Sequence, residues 1–455
     1  MKKSFIRRIA EAPAELLENT IEATEKVEKK LKKNKFFNKP KKYWRTLGPG
    51  LTTGAADDDP SGIATYSQTG AQYGFSLLWL SVLTFPLMAV IQEMCARIGL
   101  VTGRGLASNI RKHFSHKILY VSTLLLFAAN TFNIGADLGV MAKTLQLFNP
   151  QWNFVLLIIL VTVLLLGLQI FVPYNRYAKY LKWLALVLFA YVASALLANL
   201  DWPNVLKHAI TPSITFSKDQ ILLICAILGT TISPYLFFWQ TSQEIEDEIA
   251  HGQTTLIQRQ VTTKEQIHSM RVDVWSGMFF SNLVMFFIIA ACGAILFPHG
   301  ITNITTASQA AEALRPFAGD WAYALFTIGI LGTGMLAIPV LAGSSSYAIS
   351  ESFNWREGLS KKLKSAYAFY GIIIVSMIIG LCINFIGLNP IKVLIYSAVA
   401  NGVVAPLVLL PMVIISSNKK IMGAWVNNKI TKIIGWVVIA IMSVAGIAAI
   451  ISLFL

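Results

Sequence analysis

Charged side chains are scarce in this sequence: Asp, Glu, Lys and Arg make up 13% of its 455 residues, about half of what a soluble domain carries. With 55% hydrophobic residues gathered in long runs, that scarcity excludes a water-soluble globular fold and points to a polytopic membrane protein. Cysteine is sparse too. Cys95, Cys225, Cys292 and Cys382 each stand alone in a separate apolar segment without C-x-x-C spacing, which argues for small core residues and against a thiolate metal site. The six histidines fall in predicted loops or at span edges, and no H-E-x-x-H, Walker or G-x-S-x-G motif sits on a suitable element. No enzyme and no cofactor are therefore expected. Residues 1–45 lack the apolar core of a secretory signal and are rich in Lys and Glu, so they read as a basic cytosolic tail able to lie on anionic lipid.

What the chain has in abundance is apolar windows long enough, at 1.5 Å per residue, to cross about 30 Å of hydrocarbon. Eleven are expected, near 49–72, 75–99, 118–144, 153–172, 180–200, 219–243, 272–297, 320–349, 366–387, 390–415 and 431–454. The formal net charge of +15 does not signal nucleic acid, because the basic residues collect in the tail and in alternate loops. Arg97, Arg104, Arg111, Lys112 and Lys117 lie between spans 2 and 3, and Arg176, Lys179 and Lys182 between spans 4 and 5. Arg356, Lys361, Lys362 and Lys364 follow span 8, and Lys419, Lys420 and Lys429 follow span 10. The positive-inside rule then puts the N-terminus in the cytosol and, for eleven spans, the C-terminus outside. A bacterial inner-membrane protein, monomeric in the bilayer, is the expected setting.

Inside the first span stands Ala56-Asp57-Asp58-Asp59-Pro60-Ser61-Gly62. An acid near the bilayer centre costs at least a few kcal/mol, so three in a row require water, a cation or unwound backbone around them. Pro60 removes an amide donor and Gly62 tolerates unusual backbone angles, which predicts a broken helix lining a cation site. The sixth span repeats the device as Gly229-Thr230-Thr231-Ile232-Ser233-Pro234-Tyr235. Eleven spans divide into five, five and one. An odd repeat length inverts the second copy and puts matching breaks in spans 1 and 6. The domains that follow are the tail, a core over 46–415 with repeats at about 46–200 and 219–415, and a last loop and helix over 416–455.

Within this pattern Asp59 is the leading candidate for a direct cation ligand, because it immediately precedes the break. At most two of three successive acids on an extended segment face one ion, so Asp57 and Asp58 are alternatives that bind directly, bind through water, or cap the next helix. The Ala56 carbonyl, Gly62, Thr230, Ser233 and Tyr235 complete the candidate set. Glu93, Asp137, Asn133 and Gln240 are candidates for an outer layer or an ion pathway. For Glu93 and Asp137 a tie to another helix is the competing reading, and for Asn130 and Asn133 an interhelical hydrogen bond is preferred. The run Glu244 to Glu248 reads as a solvated cytosolic helix end, and Gly343-Ser344-Ser345-Ser346 as a close-packing stripe.

Several stretches together resemble the natural resistance-associated macrophage protein (NRAMP) family of metal-ion transporters. They are Leu47-Gly48-Pro49-Gly50-Leu51, Asp59-Pro60-Ser61-Gly62, Gly74 to Trp79, and Ala96 to Arg104. The resemblance implies an all-α, leucine-transporter-type fold of eleven helices with inverted five-helix repeats and broken helices 1 and 6. Members that carry manganese or iron use Asp-Pro-Gly-Asn in span 1 and Met-Pro-His in span 6. Here the Asn position is Gly62, the Met position Ser233 and the His position Tyr235. A site that loses its thioether and keeps carboxylates suits Mg2+ or Mn2+ over softer metals, as in the NRAMP-related magnesium transporters. The proton route of the family is depleted as well. The two span 6 histidine positions read Tyr235 and Gln240, and the second acid of span 3 aligns with Val140, which leaves Asp137 alone. The expectation is a transporter or uniporter of a hard divalent cation without proton coupling. The competing expectation is an NRAMP-like carrier that has lost divalent metal transport and moves another small solute or none.

Overall fold

The computed structural model describes residues 43, 46–172, 174–196, 200–215, 217–304, 307–387 and 390–454. The basic tail expected over 1–45 lies, apart from Tyr43, outside the described residues. The chain divides after Leu47. From Gly48 onward it is built from helices: α1 Pro49–Asp57, α2 Pro60–Tyr73, α3 Trp79–Thr102, α4 Leu106–His113, α5 His116–Gln146, α6 Phe154–Phe171, α7 Tyr174–Leu184, α8 Phe189–Leu196 and α9 Trp202–Ile210. They continue as α10 Lys218–Thr231, α11 Pro234–Ala250, α12 Lys264–Ile295, α13 Ala307–Phe353, α14 Tyr367–Ile383, α15 Pro390–Ser416 and α16 Lys429–Phe454.

Among the described residues, eight helical stretches are long and apolar enough to cross a membrane, with α10 and α11 counted together, and α14 is apolar but shorter. The expected first span, cut into α1 and α2, is absent from that set because Asp57, Asp58 and Asp59 load its middle with charge, which the equally broken α10 and α11 do not carry at their break. The fifth is absent because it is cut into α7, a 3-10 stretch Ala185–Leu188, and α8. Helix α3 runs on to Thr102, so Arg97, expected in a loop, is buried inside the helix.

The two breaks have the same backbone form. At the first, Asp58 (φ −83°, ψ 51°) is followed by extended Asp59 (φ −66°, ψ 168°) and then Pro60 at the start of α2. At the second, Ile232 (φ −113°, ψ 55°) is followed by extended Ser233 (φ −79°, ψ 129°) and then Pro234 at the start of α11. Proline explains the shared form. It restricts the residue before it to extended angles and fits the first helical position, where no amide donor is needed. This corrects the sequence expectation in one detail: Gly62 is not part of the unwound segment but lies within the first turn of α2.

The breaks are held by long neighbours. Helix α12 packs along α1, α2 and α3, α5 packs against α13, α14 and α15, and α10 packs on α15. The α1/α12 crossing is backbone against backbone. A Cβ on Gly54 would lie 2.3 Å from the Gly277 carbonyl oxygen, and one on Gly277 would lie 2.1 Å from that of Gly50, the close approach that small residues permit between membrane helices. The N-terminus of α1 has no cap of its own at Gly48. It is capped from α12, where the Asp273 carboxylate accepts from the amides of Gly48 (2.7 Å), Gly50 (2.7 Å) and Leu51 (3.0 Å). An anion at a helix N-terminus satisfies orphan donors and meets the positive end of the dipole.

Candidate functional site

At the first break the three acids are engaged differently. Asp59 is the cap of α2. Its Oδ1 accepts from Ser61 Oγ (2.6 Å) and the Gly62 amide (2.7 Å), and its Oδ2 from Asn133 Nδ2 on α5 (2.6 Å). The predicted ligand thus already carries three hydrogen bonds, and Gly62 contributes its amide to it. Asp57 accepts from Ser281 Oγ on α12 through Oδ2 (2.8 Å), and Ser281 also lies beside Asp58. Among the described residues, Asp57 Oδ1 and both oxygens of Asp58 are buried without a hydrogen-bond partner. Asp137 stands one turn beyond Asn133 on α5, near enough to Asp59 and Tyr235 to interact electrostatically with both, and neither of its oxygens has a partner.

The second break faces these acids with hydroxyls that are mostly engaged. Ser233 Oγ donates toward the carbonyls of Gly229 and Thr230 (2.6 Å each), which satisfies the carbonyl end of α10. Thr230 Oγ1 donates to the Ile227 carbonyl (3.0 Å) and pairs with Tyr66 of α2 (3.2 Å). Tyr235 reaches across and donates its hydroxyl to the Ala56 carbonyl (2.9 Å). The carbonyl expected as a cation ligand is therefore the anchor of a strut between the two breaks. The engaged oxygens keep lone pairs, since a hydroxyl and a carbonyl each have two.

The outer candidates separate into two groups. Asn133 donates to Asp59 and accepts from Ser397 Oγ of α15 (2.6 Å), which links α2, α5 and α15 at the break. Glu93, for which an outer-layer or pathway role and a tie to another helix were both open, is tied to Arg271 (2.8 Å), Trp275 Nε1 (2.8 Å) and Arg97 (3.4 Å). An acid among two guanidiniums and an indole N–H is a structural ion pair, and Glu93 does not join the break. Gln240 donates to Glu244 one turn on (2.7 Å), away from the unwound residues.

The acidic run that follows is not solvated, contrary to expectation. Glu244, Glu246 and Glu248 are buried, and Glu246 accepts from Tyr347 Oη (2.8 Å) and the Ser360 amide (3.1 Å). In the loop beyond α13, burial and the nearby Glu351 carboxylate hold the Glu357 carboxyl well above the usual range. The serine stripe behaves as expected. Asn130 Nδ2 bonds Ser344 and Ser345 (2.9 Å each), tying α5 to α13. The aromatic residues after the second break, Phe237, Phe238 and Trp239, are fully buried, with Trp239 edge-on to Tyr347 at 6.3 Å. They pack within the bundle.

Sequence reasoning missed Asp273, Ser281, Tyr66 and Ser397. Only Asp273 carried a signal, as an acid at the edge of a span; a serine or tyrosine in an apolar run has none. Among the described residues no three His, Cys, Asp or Glu side chains converge to enclose a metal ion.

Known proteins are similar to this chain in sequence and in fold. The family profile described as natural resistance-associated macrophage protein-like matches residues 50–452. The divalent metal cation transporter MntH of Clostridium acetobutylicum is 25% identical over 414 residues, covering 86% of this chain and 87% of that protein. MntH of Klebsiella pneumoniae strain 342 is 25% identical over 406 residues, covering 87% and 91%. Among solved structures, the Eremococcus coleocola manganese transporter in complex with an aromatic bis-isothiourea compound superposes with a TM-score of 0.69. Its identity is 18%, with 89% of this chain and 86% of that one covered. Mhp1, a nucleobase-cation-symport-1 family transporter, superposes at 0.56 with 15% identity, over 89% and 91%. These likenesses bear out the all-α, leucine-transporter-type fold that the family resemblance implies.

Proposed function

This chain belongs to the natural resistance-associated macrophage protein family, and we propose that it transports a hard divalent cation, Mg2+ foremost and Mn2+ second, by alternating access around the two helix breaks. The observation that carries this reading is the set of five carboxylate oxygens, on Asp57, Asp58 and Asp137, that are fully buried beside the first break and have no hydrogen-bond partner among the described residues. A buried unpaired carboxylate is costly, and a divalent cation removes that cost at several acids together. In this reading Asp58 and Asp57 meet the ion directly or through its water, Asp137 adds negative charge from α5, and Asp59 keeps the break rigid while a remaining lone pair faces the ion. Carboxylate ligands without a thioether suit hard cations. Mg2+ keeps several waters and takes one or two carboxylates, which agrees with a site that does not enclose a bare ion. The relatives named as divalent metal and manganese transporters support the cation class.

Transport is driven by the membrane potential without a coupled proton. Each elementary charge gains about 2.3 kcal/mol per 100 mV, so a divalent ion gains about 4.6 kcal/mol, enough for roughly thousand-fold accumulation. Tyr235 and Gln240 replace imidazoles that titrate near neutrality. The basic loops share the cytosolic face with the N-terminus, and the cation is substrate, with no cofactor in the site. In proteoliposomes, Mg2+ influx under an inside-negative potential is expected to leave lumenal pH unchanged; stoichiometric acidification would overturn the uncoupled reading.

A further inference from the structure

A groove of about 490 Å³ opens on the outer surface between α5, α15 and α16, away from the helix breaks. Its walls include Val121, Pro406, Leu410, Pro411 and Ser443, with Lys117 at one end. Two contacts hold it open. Helix α16 touches α15 where Gly435 meets Val413 and again where Gly446 meets Val403, and the groove lies between those contacts. Its length matches one leaflet. Lys117 is in the first turn of α5, and Pro411 and Pro406 lie five and ten residues inside the end of α15 at Ser416, about 7.5 and 15 Å deep at 1.5 Å per residue. The groove thus runs from the basic end of the bundle to about the middle of a roughly 30 Å hydrocarbon layer.

The walls are lipid-facing: Val121 is 53% exposed, Leu407 46% and Leu410 41%. Water gains nothing in such a space, and hydrocarbon fills it without loss. The mouth is cationic. Lys117 is exposed, forms no ion pair among the described residues, and stands beside His116 and Lys112 on the same side as Lys419, Lys420 and Lys429. Basic pockets between membrane helices bind anionic lipid headgroups. We propose that this groove holds one acyl chain of an anionic phospholipid along Pro406 and Pro411, with the lipid phosphate on Lys117.

The test is native mass spectrometry of the full chain released from bilayers of equal phosphatidylglycerol and phosphatidylcholine with matched acyl chains. The wild type is expected to retain phosphatidylglycerol preferentially. Lys117→Gln should lower that preference about five-fold, Lys264→Gln should leave it unchanged, and Ser443→Phe, which fills the groove, should reduce retention of both lipids. Monodisperse elution of the variants guards against misfolding. An unchanged preference in Lys117→Gln, or unchanged retention in Ser443→Phe, overturns the proposal. So does displacement of the lipid by millimolar inorganic phosphate, since that would mean a headgroup site with no role for the chain.

Discussion

Asp58-Asp59-Pro60 and Ile232-Ser233-Pro234 bend the chain with nearly the same backbone angles, yet they treat their polar groups in opposite ways. The second break closes on itself: Ser233 bonds the carbonyls of its own helix and Thr230 bonds Ile227. The first break leaves carboxylate oxygens with nothing to accept from. Equal geometry with unequal satisfaction indicates that the unwinding follows from where proline stands, and that the charge is added on one side only. Tyr235 joins the two by donating to Ala56, so the satisfied break holds the unsatisfied one in place.

The largest effect is expected at the unsatisfied side. Asp58→Asn should weaken Mg2+ binding at least about 100-fold, since a unit charge about 4 Å from an ion is worth several kcal/mol near a protein surface. The same variant should raise the melting temperature of the cation-free protein, because it removes a buried charge that lacks a partner. Thermal unfolding with and without Mg2+ measures both, and a drop in cation-free stability would break the comparison. Next is the strut. Tyr235→Phe leaves the Ala56 carbonyl unpaired at a cost of about 1–3 kcal/mol, and it should slow transport about ten-fold with little change in cation affinity, read from initial influx rates against equilibrium binding. Ser281→Ala removes the donor to Asp57 and should destabilise the cation-free protein by about 1 kcal/mol, measured by denaturant unfolding. The smallest effect is expected at the satisfied side, where Ser233→Ala should change Mg2+ affinity less than about three-fold, because an unwound carbonyl can turn to the ion when the hydroxyl is gone.

The sequence made the breaks legible, because proline after a short polar run is a local signal, and it made the spans legible, because apolar length needs no partner. What it hid was set by distant partners. Asp273 caps α1 from more than two hundred residues away, and Tyr235 reaches Ala56 across 179; neither leaves a periodic trace. The run Glu244 to Glu248 was misread for the same reason, since Tyr347 and Ser360 come from other elements, and the two readings of Glu93 stayed open because Arg271 and Trp275 lie on a helix distant in sequence. Asp59 stands out in the sequence by its place before Pro60. Its carboxylate proves to be the cap of α2 and the partner of Asn133, so Asp59→Ala mixes a folding defect of about 0.5–2 kcal/mol with any loss of ligand. Asp58 separates the two.

The most direct test is therefore calorimetric titration of the purified protein and of Asp58→Asn with Mg2+, Mn2+ and Ca2+. Saturable binding of Mg2+ and Mn2+ in the millimolar range or tighter by the wild type, absent from the variant, is the predicted result. No divalent binding by the wild type, or equal binding by both proteins, would contradict the assignment of the unpartnered acids to a cation.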